Sequence, residues 1–501
     1  MRKLARNIVV AMITKLLLII SGVVAQRFIL YSFGSGLNGL TSSVTQFLSY
    51  FTLLEAGLGL ASIQALYKPL AENDNHAVSR ILSATSAQYR TVGAIFFALT
   101  VALSFLMPLI TRSDLQPSLI IGITMLMGMS SVLNYMFIGR YQALLNADRK
   151  VYVIHTLDAV LGITFSAIRI LLINAGASII TVQTAALFSP MVRILVLHSY
   201  VRRNYRDISY QAEPDNSAIK KRKYVLVHQM VGMVTNHTDV TLLTVMSTLR
   251  QVSVYTVYNL IYANISQLLS TTFSSAVQAS FGRLVGKKDP KLFEYYELYE
   301  SLFTTAVFGF LTVVLAMTIP FVRLYTRGVE DVDYVDDILA VLFMISTLFS
   351  IIRIPAVIMV NTVGTFKETQ RGAVIEAVLN IAISIPAFLI IGMRGLLVGT
   401  CAAMAYRAID IQIFTYRKIF FAGIQNWILL IVANGILMLG CLFVFKKFPF
   451  VEINDWGTWI LSGVGFSLIV ILVFGAFYCF AYREKLKMIR RIICKNATQG
   501  G

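Results

Sequence analysis

Charge is scarce in this sequence. Of 501 residues, 14% are Asp, Glu, Lys or Arg, where a soluble globular protein carries roughly 25%. A chain this long cannot cover a water-facing surface with so little charge, which argues against a soluble enzyme. Cysteine is scarcer still: Cys401, Cys441 and Cys479 lie in apolar stretches and Cys494 in a basic tail. Their spacing supports neither a disulfide framework nor a zinc site. Long polar segments are missing too, so no ordinary extramembrane domain can form. No GxxxxGK[ST] loop is present to cradle phosphates, which sets the chain apart from nucleotide-driven transporters.

What the chain has is apolar length, with 57% hydrophobic residues. A membrane-crossing helix needs about 20 mostly apolar residues. Fourteen stretches meet that standard: 8–31, 40–63, 86–108, 118–138, 151–174, 179–199, 224–247, 252–277, 300–322, 338–360, 373–392, 395–414, 427–445 and 457–481. The N-terminal run lacks a small-residue cleavage site and reads as a retained first span rather than a signal peptide. The net charge of +18 is topological. With the N-terminus inside, the inner segments hold about 30 of the 43 basic residues, against about 7 outside, as the positive-inside rule requires. Both termini are therefore expected in the cytoplasm. The longest outer loop carries the acidic run Glu330, Asp331, Asp333, Asp336 and Asp337.

The two halves match at an offset of roughly 212–218 residues. Asp158 opens DAVLGI in the fifth span and Glu376 opens EAVLNI in the eleventh. Pro108 answers Pro320, Arg193 answers Arg407, and KPLAEND from Lys68 answers GRLVGKKD from Gly282. An even number of spans per repeat makes the repeat parallel. The expected organisation is an N-lobe at 1–199, a basic cytoplasmic linker at 200–223 and a C-lobe at 224–418. Two further helices with a basic tail then occupy 419–501. The fold class is an all-α polytopic membrane protein of two pseudo-symmetric six-helix lobes plus two C-terminal helices.

A charge at the bilayer centre costs on the order of 2.5–3.5 kcal/mol even on a lenient scale, so each one within a span needs a reason. The set is Lys15, Arg27, Glu55, Asp158, Arg169, Arg193, Asp239, Arg353, Glu376, Arg407 and Asp410. Arg27 and Arg169 lie about one turn from an outer helix end and either snorkel or face a lumen. Lys15 and Arg353 lie deeper, which favours a lumen. Arg407 and Asp410 are three apart, close enough to neutralise each other. The seventh span, with His228, Thr235, Asn236, His237, Thr238, Asp239 and Thr241, must face protein or a wet cavity. Tyr255, Tyr258, Asn259 and Tyr262 in the eighth span, with Ser43, Gln46 and Tyr50 in the second, suit the apolar faces and hydroxyl edges of sugars. Interface anchoring by tyrosine is the competing reading. Together they describe a wet cavity of cationic character, fitted to an anionic, partly sugar-like ligand.

The fourteen spans in six-plus-six-plus-two order, YQALLNADRKVY (Tyr141–Tyr152), TNHTDVTLL (Thr235–Leu243) and VSVYTVYNLI (Val252–Ile261) give the chain a resemblance. It resembles the multidrug/oligosaccharidyl-lipid/polysaccharide exporter superfamily, and within it the bacterial polysaccharide repeat-unit flippases of the inner membrane. The resemblance implies two lobes around a cavity that opens alternately inward and outward, with no enzymatic activity and no cofactor. The substrate class would be undecaprenyl-pyrophosphate-linked oligosaccharide for capsule, exopolysaccharide or O-antigen, handed on to polymerase machinery. Lys15, Arg27, Arg353, Arg193 and Arg407 would meet the substrate, and Gln46, Tyr50, Tyr258, Asn259 and Tyr262 its sugars. Coupling to Na+, H+ or the membrane potential would fall to Asp239 or Glu55, with Asp158 and Glu376 as further candidates. The alternatives are a cation-coupled multidrug exporter of the same fold, which the surplus of buried cations disfavours, and a membrane polymerase or ligase, which lacks its usual large outer loop.

Overall fold

The computed structural model describes residues 2–55, 57–208, 213, 233, 237–447 and 452–483. The expected positions His228, Thr235 and Asn236, the linker residues Lys220 to Lys223, Cys494 and the tail from Lys485 lie outside the described residues. Among the described residues there is no β-strand, and one isolated bridge joins Arg112 to Thr248. The helices are α1 (Arg2–Phe51), α2 (Leu58–Ala71), α3 (Asn75–Ile110), α4 (Pro117–Leu133), α5 (Gly139–Ala147), α6 (Val151–Asn174), α7 (Ile179–Asn204), α8 (Leu249–Gly286), α9 (Leu292–Tyr325), α10 (Asp337–Ile352), α11 (Ile354–Val363), α12 (Phe366–Ile391), α13 (Met393–Phe414), α14 (Gln425–Lys447) and α15 (Trp456–Ala481).

Among the described residues, eleven helices are long and apolar enough to cross a membrane. They reconcile with the fourteen expected spans. One of the eleven, Thr14–Ala71, carries both the first and the second. The eighth is α8, whose Ser253, Asn259, Asn264 and Gln267 dilute its apolar character, and the seventh is described continuously only from residue 237. Apolar side chains face outward, as a bilayer solvent demands. Leu439, Phe443, Leu461, Leu472 and Phe480 on α14 and α15 are all exposed. This is a multi-pass membrane protein.

Local chemistry explains where the helices break. Gly34, at φ 79°, kinks α1. The positive end of the helix that restarts there is met by the Asp331 carboxylate, which accepts from Ser35 N at 2.8 Å and Ser35 Oγ at 2.5 Å. Pro355, in the first turn of α11, marks the break from α10 and leaves Arg353 at the bend. Asp74, Ser178, Asp336 and Asp455 cap α3, α7, α10 and α15 with their side chains.

The repeat recurs in the backbone. Left-handed residues Asn73, Arg149 and Gly176 in the first half are answered by Lys288, Gly364 and Gly392 in the second, in the register expected from the sequence. By contacts the chain divides into two compact units, Met1–Thr256 with Gly328–Asp333, and Val257–Arg327 with Tyr334–Gly501. The described start of the expected linker, 200–208, thus falls inside the first unit, and the division comes within α8. In the first unit the core gathers around Leu40, Val44, Phe96, Met107 and Ile123. A smaller core in the second joins Ala356, Val360 and Ile411.

Candidate functional site

In the first unit, a polar seam runs along the second half of α1. Gln26 Nε2 donates to Asn38 Oδ1 at 2.8 Å, and Asn38 Nδ2 to Ser253 Oγ at 2.7 Å. Ser43 and Thr244 share a hydrogen bond at 2.7 Å, and Tyr50 and Thr241 one at 3.1 Å. Mutual satisfaction is what polar groups in a bilayer require, and it accounts for Thr241 and Thr244 in the described part of the seventh span. Tyr50 also sets its ring edge-on to His237 at 6.0 Å. Gln46 is half-buried, and its Nε2 is enclosed with no hydrogen-bond partner. Asp239 is buried and accepts from Tyr255 Oη at 2.8 Å, while Glu55 accepts from Tyr89 Oη at 2.6 Å.

The expected cations of this unit lie on α1, α6 and α7. Arg193 is spoken for: its Nη2 lies 2.7 Å from Asp158 Oδ1, and its Nη1 donates to Asn134 Oδ1 at 3.3 Å. Lys15 and Arg27 are half-buried on α1, which packs against α6. The side chain of Leu18 fills the space that a Cβ at Gly162 of α6 would take. Arg169, also on α6, makes no ion pair among the described residues, and its Nε is buried without a partner.

The second unit neutralises its charges more thoroughly. Glu376 is buried, with Oε1 accepting from Arg353 Nη1 at 2.8 Å and Oε2 lying 3.6 Å from Arg407 Nε. Arg407 Nη1 reaches on to Asp410 Oδ2 at 2.7 Å. Two arginines and two carboxylates form one chain over Gly372, where a Cβ would collide with the Asp410 carboxylate. The neutralisation of Arg407 by Asp410 was one of the two readings open from the sequence.

Several expected roles need correction. Arg193, Arg353 and Arg407 do not stand as uncommitted substrate cations, because each carries a carboxylate partner. Asp158 and Glu376 are those partners rather than isolated acids. Tyr258 and Tyr262, expected to meet sugars, are both fully buried, with rings stacked on Phe343 at 5.9 and 5.7 Å. Their hydroxyls are used internally. Tyr258 donates to Tyr334 O at 2.8 Å and accepts from Asp336 N at 2.9 Å, and Tyr262 donates to Ala340 O at 3.2 Å. Asn259, one residue from Tyr258, stays half-buried.

Glu300 escaped the sequence reading. It is buried in α9 and accepts from Tyr296 Oη at 2.9 Å, Tyr416 Oη at 2.5 Å and the Gln412 amide. The signal that points to it is Tyr296, one helical turn earlier on the same face. Outside the spans, Asp148 and Lys150 pair at 2.8 Å, and both meet the Tyr205 hydroxyl. Burial pushes the Asp148 carboxyl up, but the hydrogen bonds from Lys150 and Tyr205 outweigh it and hold the group below its ordinary value. This accounts for part of the YQALLNADRKVY string.

No protein-family profile matches the chain, and no curated protein sequence does. Solved structures do match. The lipid II flippase MurJ in an inward closed conformation superposes with a TM-score of 0.72 at 15% identity, over 95% of this chain and 99% of that one. An inward-facing multidrug resistance MATE family transporter of the MOP superfamily gives 0.59 at 13% identity, over 80% and 96%. The eukaryotic MATE transporter AtDTX14 gives 0.53 at 14%, over 81% and 93%.

Proposed function

We propose that the chain is a flippase, because it has the fold shared by the MOP-superfamily flippases and exporters and its structural neighbours named above are transporters rather than enzymes. It would carry undecaprenyl-pyrophosphate-linked oligosaccharide repeat units across a bacterial inner membrane by alternating access of its two lobes. Both termini would be cytoplasmic, and the product would go to a polysaccharide polymerase.

The observation that carries this reading is the extent of the likeness. The match to a lipid II flippase runs over 95% of the chain, and the matches to the two MATE transporters over 80% and 81%. The difference is close in size to the segment 419–501, which holds α14 and α15. The exposed apolar faces of those helices suit them to guide a polyprenyl tail along the bilayer.

The charges support an anionic cargo. Leaving Arg169 without a carboxylate inside a span costs on the order of 2.5–3.5 kcal/mol, a cost that a bound pyrophosphate offsets through charge-assisted hydrogen bonds. Lys15 and Arg27 lie on the helix packed against the one that carries Arg169. In this reading the three cations bind the pyrophosphate, while the paired arginines hold the helices of the lobes together. Asp239 and Glu55 remain our candidates for coupling to Na+ or H+.

Reconstitution tests the proposal. Purified protein is placed in vesicles with an undecaprenyl-pyrophosphate oligosaccharide, and a membrane-impermeant glycosidase is added outside. Protein-free vesicles should expose one leaflet only, and protein-containing vesicles should expose nearly all of the substrate. Unchanged exposure, together with uptake of a cationic dye, would overturn the flippase reading in favour of the multidrug exporter.

A further inference from the structure

A cavity of about 430 Å³ in the second unit lies among α9, α14 and the end of α15. Its volume falls within the range of small-molecule sites, about 300–1,000 Å³. Nothing in the transport reading uses it. The elements around it end where the positive-inside count places the cytoplasm, beside the basic segments 278–299 and 415–426.

The lining sorts the chemistry of an occupant. One wall is acidic, with Glu297 and Glu300. The donors to Glu300 are Tyr296, Tyr416 and Gln412, neutral groups that orient its carboxyl without supplying a counter-ion. Among the described residues Glu300 makes no ion pair, so this wall favours a cation. The lining also contains groups of the opposite preference. Arg483 is exposed there, and Trp427 is 6% exposed with its indole N–H enclosed and lacking an acceptor. An enclosed donor without an acceptor is rare in a native fold. The lip is apolar, formed by Leu429 and Phe480, which stand 69% and 90% exposed to the bilayer.

A cation site, an anion site and an acyl-facing lip within one small cavity describe a single ligand class. We propose that this cavity binds the headgroup of a zwitterionic aminophospholipid of the ethanolamine type. The ammonium meets Glu297 and Glu300, the phosphate meets Arg483, and the acyl chains run along Leu429 and Phe480. A phosphate beside a cationic side chain at a cytoplasmic helix end follows ordinary headgroup recognition. Because α14 and α15 lie outside the six-helix repeat, a lipid held there would pin the extra helices to α9. The cavity thus becomes a lipid-binding site distinct from the proposed substrate cations.

Native mass spectrometry of the full-length protein tests this, with equal amounts of phosphatidylethanolamine, phosphatidylcholine and phosphatidylglycerol present. The expected result is retention of one phosphatidylethanolamine with about tenfold preference over either competitor. Glu297→Gln is half-buried and leaves the Glu300 network intact, so it should fold and should bring phosphatidylethanolamine down to the level of phosphatidylcholine. Arg483→Gln should weaken retention of all three. Preference for phosphatidylglycerol, or a preference that neither variant changes, would overturn the proposal. Displacement of the lipid by soluble phosphoethanolamine would also overturn it, since the site would then read a soluble zwitterion.

Discussion

The first unit pairs Asp158 of α6 with Arg193 of α7, and the second pairs Glu376 of α12 with Arg407 of α13. These are the same positions of the repeat, yet their surroundings differ. The Asp158 side chain is 36% exposed and takes one arginine, whereas that of Glu376 is 6% exposed and takes two. Burying a carboxylate deeper raises the demand for compensation, and the second unit meets it by recruiting Arg353, while Asp410 takes up the remaining charge of Arg407. The first unit spends less charge on holding its helices together and leaves Arg169 uncommitted. The repeat keeps the acid–base pairing in both halves, but one half extends it into a four-residue network while the other holds Arg169 without an ion pair among the described residues.

The largest expected effect strikes the buried acid. Glu376→Gln leaves Arg353 without its carboxylate and Arg407 with Asp410 alone, and should cost about 3–5 kcal/mol, seen as a large fall in melting temperature in detergent. Asp158→Asn leaves Arg193 its bond to Asn134 and should cost only about 1 kcal/mol, as for a partly exposed pair. Equal losses would break the contrast between the units.

A second contrast concerns the tyrosines. Tyr258→Phe removes the partner of two buried backbone groups and should cost about 1–3 kcal/mol without altering substrate preference. Tyr50→Phe loses one bond at a half-buried position and should cost about 0.5–1 kcal/mol. A change of substrate preference in Tyr258→Phe would restore the sugar-contact role that its burial removes.

The smallest effect sits in the loop between α5 and α6. The folded-state pKa of Asp148 is depressed, so its contribution is present above the ordinary carboxyl range and is lost as pH falls through the lower folded value. Asp148→Asn should therefore cost about 0.5 kcal/mol near neutral pH and nothing in strong acid. Melting curves at the two pH values check the sign. A cost that grows in acid would contradict the pairing with Lys150 and Tyr205.

The apolar runs and the repeat were legible in the sequence because both are linear patterns. DAVLGI and EAVLNI keep an acid on the fifth helix of each half, and Arg193 and Arg407 keep a base on the sixth. That acid and base touch was not legible, since contact depends on how two helices are rotated against each other. Counting charges one at a time therefore turned paired arginines into substrate ligands. The fate of Tyr258 was hidden for a similar reason: its partners are backbone groups of Tyr334 and Asp336, which carry no side-chain signature. Glu300 was missed because it is the first residue of the expected span 300–322, where a charge reads as a helix end, whereas α9 already begins at Leu292 and buries it.

The central claim is that Arg169 of the first unit serves the substrate while the paired arginines of the second serve the fold. Arg169→Ala tests it most directly, by the initial rate of oligosaccharide translocation in vesicles with the melting temperature measured alongside. The account predicts a fall of about tenfold or more in rate, the size of one charge-assisted contact, with stability unchanged or raised by removal of an uncompensated buried charge. An unchanged rate with a lowered melting temperature would contradict it and place Arg169 among the residues that hold the helices together.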